Sequence, residues 1–211
     1  MPYAIKEIFY TLQGEGAQAG RPAVFLRFAG CNLWSGHERT RAADAASAPC
    51  AAWCDTDFIG GSKFTASEVV SLCVKSLEGA APGWLVATGG EPLLQLDAPL
   101  VSALHDAGFV VAVETNGTRR ADGLGLDWVC VSPKQLDDRW VQRAGDELKV
   151  VYPAYDPLRA AVLAGGGFAH LLVQPEDGPL GAENVRRAVA FCQANPAWRL
   201  SLQTHKLVGL R

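Results

Sequence analysis

Residues 84–92 read WLVATGGEP. Trp84-Leu85-Val86-Ala87-Thr88 is a short apolar run that makes a buried strand, and Gly89-Gly90-Glu91-Pro92 breaks it. A helix is expected from about 97 to 107, ending at Gly108, because a glycine relieves the left-handed turn that closes many helices. Strand, polar exit and helix form the unit of a parallel sheet, whose neighbouring strands need a crossover connection.

The unit recurs on both sides. Upstream, Ile5 to Leu12 leads into the turn Gln13-Gly14-Glu15-Gly16, and Ala23 to Phe28 is an apolar, β-rich run that delivers Cys31. Thr65-Ala66-Ser67-Glu68 resembles a capping box, and Val69, Val70, Leu72, Cys73 and Leu77 follow at helical spacing, so 66–78 is expected to be an amphipathic helix. Downstream, Val110 to Glu114 stops at Thr115-Asn116-Gly117, and Trp128 to Val131 stops at Ser132-Pro133-Lys134. Leu148 to Val151 precedes a helix near 156–164. Leu171 to Val173 ends at Gln174-Pro175-Glu176-Asp177, a helix over 182–194 follows, and Trp198 to Leu202 stops at Gln203-Thr204-His205. The class is α/β. About six parallel strands with few helices are too few for a closed eight-fold barrel, so a partial (β/α) barrel or curved open sheet is expected. No linker or charge block divides the 211 residues. One domain of that size buries roughly 70% of its extended-chain surface.

The 19 basic and 22 acidic residues leave a net charge of −3, which offers no electrostatic footprint for nucleic acid or a membrane surface. The expected partner is a small molecule. MPYAIKEIFY lacks a basic flank before an apolar core, and no run approaches the roughly 18 apolar residues of a spanning helix, so a cytoplasmic protein is expected. In a reducing compartment, clustered cysteines bind metal or do chemistry more often than they pair. Cys73, Cys130 and Cys192 lie singly in apolar segments and read as core. Cys31, Cys50 and Cys54 converge between Arg27 and Asp57. Three soft thiolates suit zinc or an iron–sulfur cluster, and on a four-iron cluster they leave one iron open to a ligand. A structural zinc module with His37 or Asp55 as fourth ligand is the alternative from a different class.

In a parallel sheet the loops after the strands form the ligand site. Arg27 and Cys31, Thr88 to Pro92, Glu114 to Gly117, Ser132 to Lys134, Gln174 to Asp177 and Gln203 to His205 therefore line one mouth. Taken singly, a charge such as Glu114 or Lys134 reads as solvated surface. Convergence of all these exits on one rim points to a site.

The three cysteines and Gly89-Gly90-Glu91-Pro92 resemble the radical S-adenosylmethionine superfamily. Within it the chain is similar to the 7-carboxy-7-deazaguanine synthases, through FYTLQGEG at 9–16, RFAGCNLW at 27–34, WCDTDF at 53–58, TGGEPLLQLD at 88–97, ETNG at 114–117, VSPK at 131–134, ELKVV at 147–151, LVQPEDGP at 172–179 and WRLSLQTHK at 198–206. The resemblance implies a radical S-adenosylmethionine core over 1–211 with an insertion at about 35–49. It implies a [4Fe–4S] cluster on Cys31, Cys50 and Cys54, S-adenosylmethionine on the open iron, and one-electron cleavage to a 5′-deoxyadenosyl radical. The implied substrate is 6-carboxy-5,6,7,8-tetrahydropterin, whose ring contracts to 7-carboxy-7-deazaguanine with loss of ammonia.

By the same resemblance Leu12, Gln13, Gly14, Glu15, Arg27, Thr88, His205 and the terminal Arg211 hold the substrate. Gly90, Glu91, Glu114, Asn116, Ser132, Pro133, Lys134, Gln174, Pro175, Glu176 and Asp177 hold S-adenosylmethionine. Thr56 binds Mg²⁺, although by itself it reads as a helix cap. The family further implies a flavodoxin or ferredoxin as electron donor and a homodimer. A related radical activase acting on a protein glycine shares GGEP and is a second alternative.

The spacing departs from the superfamily pattern, with eighteen residues between Cys31 and Cys50 and three between Cys50 and Cys54. A six-fold longer flexible loop costs only about 1.6 kcal/mol in closure entropy. On a helical turn, residues i and i+4 share a face, so Cys50 and Cys54 can converge.

Overall fold

The structure is a computed structural model that describes residues 2–210. Arg211, expected at the substrate, lies outside the described residues. Strands β1 (Tyr3–Leu12), β2 (Pro22–Phe28), β3 (Ser62–Phe64), β4 (Trp84–Gly89), β5 (Val110–Thr115), β6 (Trp128–Val131), β7 (Gly145–Tyr152), β8 (Phe168–Pro175) and β9 (Trp198–Leu200) form one sheet. Their order is β3-β1-β2-β4-β5-β6-β7-β8-β9. From β2 through β9 every pairing is parallel, one strand more than the expected six. β1 is antiparallel to β2 and to β3. The turn after Leu12 is too short for a crossover and can only make a hairpin. Among the described residues β3 and β9 each have one neighbour, so the sheet is open rather than a closed barrel.

The helices are α1 (Arg41–Ala45), α2 (Ala66–Ser76), α3 (Ala98–Asp106), α4 (Pro157–Ala164), α5 (Gly181–Ala194) and α6 (Thr204–Leu207). The capping box forms as read: Glu68 N–H donates to Thr65 Oγ1 at 3.3 Å, and Thr65 N–H to Glu68 Oε2 at 2.7 Å. Asp97 accepts from Leu100 N–H and Asp156 from Leu158 N–H, so α3 and α4 also start at side-chain caps. α4 stops at Gly165, whose φ of 61° is left-handed. Strand β3 and helix α1 are too short and too polar to show a hydrophobic period, and α6 continues the polar exit of β9.

Alternation along the strands gives the sheet two different faces. Val24, Leu26, Phe28, Leu85, Ala87, Val111 and Val113 pack with Val69 and Cys73 of α2 and Leu100 and Leu104 of α3. Val131, Leu148, Val150 and Val173 pack with Ala160 of α4 and Ala188 of α5. On the opposite face Trp84, Trp128 and His170 lie in a row near the strand starts, Trp84 edge-on to Trp128 at 6.1 Å and Trp128 stacked on His170 at 5.5 Å. Toward the strand ends that face turns polar. Of the three cysteines read as core, Cys73 and Cys130 are buried and Cys192 is half-buried. Among the described residues no helix is long and apolar enough to cross a membrane.

Candidate active site

A cavity of about 480 Å³ opens over this polar end of the sheet. Leu12, Gln13, Gly14, Glu15, Arg27, Thr56, Thr88, Gly90, Glu114, Asn116, Ser132, Lys134, Gln174, Pro175, Glu176, Asp177 and His205 all line it. Cys31, Cys50, Cys54, Glu91 and Pro133 stand outside that lining.

The floor is an ionic group centred on Lys149, which alternation places on the inner face of β7 with Glu147. The Lys149 ammonium, 5% exposed, contacts Glu15 Oε2 and lies 3.8 Å from Glu114 Oε1. Gln203 Nε2 donates to the other Glu15 oxygen at 2.9 Å. Gln13 Nε2 donates to Glu114 Oε1 at 3.0 Å, and Thr88 Oγ1 to Glu114 Oε2 at 3.4 Å. Burial alone would raise the Glu15 carboxyl; the Lys149 charge and the hydrogen bonds from Lys149, Gln203 and Gln174 together outweigh it and hold the group at about 2. Burial disfavours the Lys149 ammonium in turn, but Glu114 and Glu15 oppose that and keep it well above its ordinary range.

The Gln13-Gly14-Glu15-Gly16 turn is clamped from beneath. Gly16 N–H donates to Ser201 Oγ at 2.9 Å and Ala17 N–H to Glu147 Oε2 at 2.8 Å. A Cβ on Gly14 would lie 2.1 Å from His205 Nδ1, and Thr204 N–H donates to Gly14 C=O at 2.9 Å. The glycine therefore lets the segment after β9 close on the turn after β1. On the wall, register opposes Glu7 to Arg27 and Phe9 to Phe25. Arg27 Nε donates to Glu7 Oε1 at 2.8 Å, and the Phe9 and Phe25 rings stack at 5.3 Å. Lys206 bonds both Asp55 and Asp177 at 2.6 Å across the rim, joining the cysteine loop to the exit of β8.

Behind the lining, the Glu91 carboxylate is fully buried. It accepts from Leu93 N–H at 3.0 Å, Thr115 Oγ1 at 2.8 Å and Asn116 N–H at 2.8 Å. It therefore ties the exit of β4 to the exit of β5, while Gly90 faces the cavity. Asn116 Nδ2 donates to Asn32 beside Cys31 at 3.1 Å. Lys134 Nζ donates to Ser132 Oγ at 2.7 Å and lies 5.1 Å from the Trp53 ring centroid. Burial raises the Glu176 carboxyl, whereas the Lys206 hydrogen bond lowers that of Asp177.

Cys50 lies on a 3-10 turn, Pro49–Ala52, and Cys54 N–H donates to Cys50 C=O at 2.9 Å. The cysteines are therefore one helical turn apart, as their spacing requires. Burial pushes the Cys50 thiol up to about 11; nearby Lys134 pulls it down, while Cys31 and Cys54 push it further up. Burial likewise raises Cys31, against the backbone N–H groups of Leu33 and Trp34. A Cβ on Gly90 would lie 2.7 Å from Cys31 Cβ, so the glycine allows the β4 exit to nest against the cysteine loop. Three free, neighbouring thiols, two of them raised chiefly by burial, form a donor set that a multiply charged iron cluster suits, since it stabilises the thiolates. Among the described residues no three His, Cys, Asp or Glu side chains close on a single ion. The zinc alternative also fits poorly because His37 is exposed and Asp55 is paired with Lys206. Thr56 caps no helix and instead faces the cavity.

Sequence reading placed Gln203 on the rim but missed Lys149, Glu147, Lys206 and the pair Glu7 and Phe9. The available signal was Glu147-Leu148-Lys149: two charges at i and i+2 leading into the apolar end of a strand share one face, and a buried face carries charge only for a reason.

An open, mostly parallel α/β sheet whose polar exits line one cavity, with three free thiols in the loop that follows β2, defines an enzyme acting on a small molecule. No family model matches the chain. It is 52% identical over 217 residues to the 7-carboxy-7-deazaguanine synthase of Burkholderia multivorans, covering all of both chains. It is 50% identical, again over both full lengths, to that of Bordetella pertussis. The solved structure of QueE from Escherichia coli matches 97% of this chain and 95% of its own, with a TM-score of 0.68 and 26% identity. The chain belongs to the 7-carboxy-7-deazaguanine synthase family. That membership sets aside the glycine-activase and zinc-module alternatives.

Proposed function

We propose that the chain converts 6-carboxy-5,6,7,8-tetrahydropterin to 7-carboxy-7-deazaguanine and ammonia, on the route to queuosine and related 7-deazapurines. The observation that carries this reading is the polarity of one cavity. Its floor presents the anionic Glu15 beside Glu114, and its wall presents the Arg27 guanidinium. The carboxy-pterin has a guanidine-like edge that donates to carboxylates and a 6-carboxylate that accepts from arginine. Gln13 and Thr88 orient Glu114, and Lys149 holds Glu15 ionised, so the acceptors are set before the substrate arrives. Arg27 is oriented through Nε by Glu7, which directs the end of its fork at the ligand.

Cys31, Cys50 and Cys54 would hold a [4Fe–4S] cluster. With S-adenosylmethionine bound, the cofactor supplies hydrogen-atom abstraction at a substrate carbon, and the protein's share is placement. Gly90 allows the cofactor close to the backbone; Glu114, Asn116, Ser132, Lys134 and the Gln174 to Asp177 exit offer polar groups around it. Glu91 and Pro133 would act from behind, by shaping these loops. Thr56 would meet Mg²⁺. Its neighbours Asp57 and Asp55 are neutralised by Lys6 and Lys206, so the ion would take its other oxygens from substrate and water. His205 and the terminal Arg211 would close over the substrate.

A single domain with an insertion at 35–49, a homodimer, a flavodoxin or ferredoxin donor and a cytoplasmic location complete the reading, with no nucleic-acid or membrane partner. Reconstituted, reduced protein given S-adenosylmethionine and the carboxy-tetrahydropterin is expected to yield the deazaguanine by mass; cofactor cleavage without that mass would overturn the substrate. Arg27→Ala is expected to raise the pterin KM at least about tenfold, the loss of one charge-assisted contact, with iron content unchanged. An unchanged KM removes Arg27 from the pocket.

A further inference from the structure

Residues 35–49 separate Cys31 from Cys50, and the reaction gives them no role of their own. They are folded rather than slack. Asp44 accepts from Ser35 N–H at 3.2 Å, Ser35 Oγ at 2.7 Å and Thr40 Oγ1 at 3.1 Å, closing the segment on itself. Ser47 C=O accepts from Gln135 Nε2 at 3.4 Å and Arg139 Nη1 at 3.3 Å, which docks the segment on the loop after β6. From α1 the Arg41 side chain reaches back to the cysteines. Its Nη1 donates to the carbonyls of Ala51 and Cys54, the latter at 3.1 Å, and its Nε pairs with Glu38 at 2.8 Å. Its guanidinium carbon lies 4.6 Å from the ring centroid of Trp34. That indole is buried edge-on against Phe58 at 5.5 Å, in the small apolar cluster on which Cys31 and Cys54 pack.

We propose that Arg41 is the positioning residue that sets the Cys50–Cys54 turn against Cys31. The inference rests on the cluster reading above and extends it to the insertion. The two carbonyls belong to the turn that carries Cys50 and Cys54, and the indole under the guanidinium belongs to the wall beside Cys31. One planar fork thus fixes both parts of the ligand set relative to each other. A guanidinium can bond two carbonyls and stack on a ring in a single geometry, which an ammonium cannot. It compensates for a long, irregular spacing that sequence alone leaves loose.

The test uses the full chain as Arg41→Ala and Arg41→Lys, with Arg120→Ala as a control, since Arg120 pairs with Asp122 on the exposed surface. In cluster-free protein, iodoacetamide labelling mapped by mass is expected to accelerate at Cys50 and Cys54 about tenfold or more in Arg41→Ala, because a charge-assisted hydrogen bond no longer opposes local opening. Cys73 and Cys130 should stay unlabelled. After reconstitution, iron per chain should fall and the spectrum of the reduced cluster should change, with Arg41→Lys intermediate and Arg120→Ala like wild type. Unchanged labelling and spectrum would overturn the proposal, and so would labelling that rises equally at all six cysteines, which would mean a global role. If Arg41→Ala does not fold, Arg41→Lys decides by the same comparison. Should wild-type protein bind no iron, the cluster reading fails, while labelling still decides whether Arg41 sets the turn.

Discussion

Replacing Lys149 with methionine removes the cation that contacts Glu15 and leaves its methylenes in place. Lys149 is 5% exposed and Glu15 17% exposed, so water replaces little of the lost charge. Glu15 is held at about 2 against an ordinary 4.5, and at about 1.4 kcal/mol per tenfold this gap is worth about 3 kcal/mol of folding stability. The folded value is the lower one. The contribution is therefore complete above pH 4.5 and lost as pH falls through about 2. Breaking a buried pair by removing one partner costs about 3–5 kcal/mol in general, which agrees in size. Urea unfolding of cluster-free Lys149→Met at pH 7 should show a loss of about 3 kcal/mol, a midpoint shift of about 1 M. The gap to wild type should narrow as pH falls from 5 toward 3, because protonation of Glu15 relieves the variant first. Adding Glu15→Gln to Lys149→Met should restore much of the loss. A deficit below about 1 kcal/mol at pH 7, or one constant with pH, would refute the ionic floor as drawn.

Cys50→Ala should abolish iron binding while Cys73→Ala, on the buried face of α2, retains it; iron retained in Cys50→Ala would show a wrong ligand. Gly90→Ala places a Cβ 2.2 Å from Gly30 C=O and 2.7 Å from Cys31 Cβ, so iron content and cofactor affinity should both fall, and wild-type values would contradict the close nesting. Glu91→Ala orphans two buried donors at about 1–3 kcal/mol each and a third, half-buried one, and thermal unfolding should register at least about 2 kcal/mol; near-neutrality would mean that the β4 and β5 exits are held by something else.

Most of the sheet was legible because its strands are uninterrupted apolar runs ended by glycine, proline or polar clusters. Helices α2, α3, α4 and α5 were legible from caps and helical periods. β3 was not, since Ser62 and Lys63 are exposed and the strand exists only by pairing with Tyr3–Ile5. Arg27, Thr88, Glu114 and Lys134 could be gathered onto one rim from strand order alone. Lys149 could not, because its partners Glu15 and Glu114 lie 134 and 35 positions away in sequence, and no local pattern pairs them.

By itself the sequence determined the α/β class, the polar strand exits and the three cysteines, because period, turn chemistry and thiol softness are local properties of the residues. Only the tertiary structure decided which charges meet. It placed Lys149 under Glu15 and Glu114, buried Glu91 behind the GGEP turn, and brought Arg41 onto the carbonyls beside Cys50 and Cys54. The physical reason is that burial and ion pairing depend on distances set by the whole sheet.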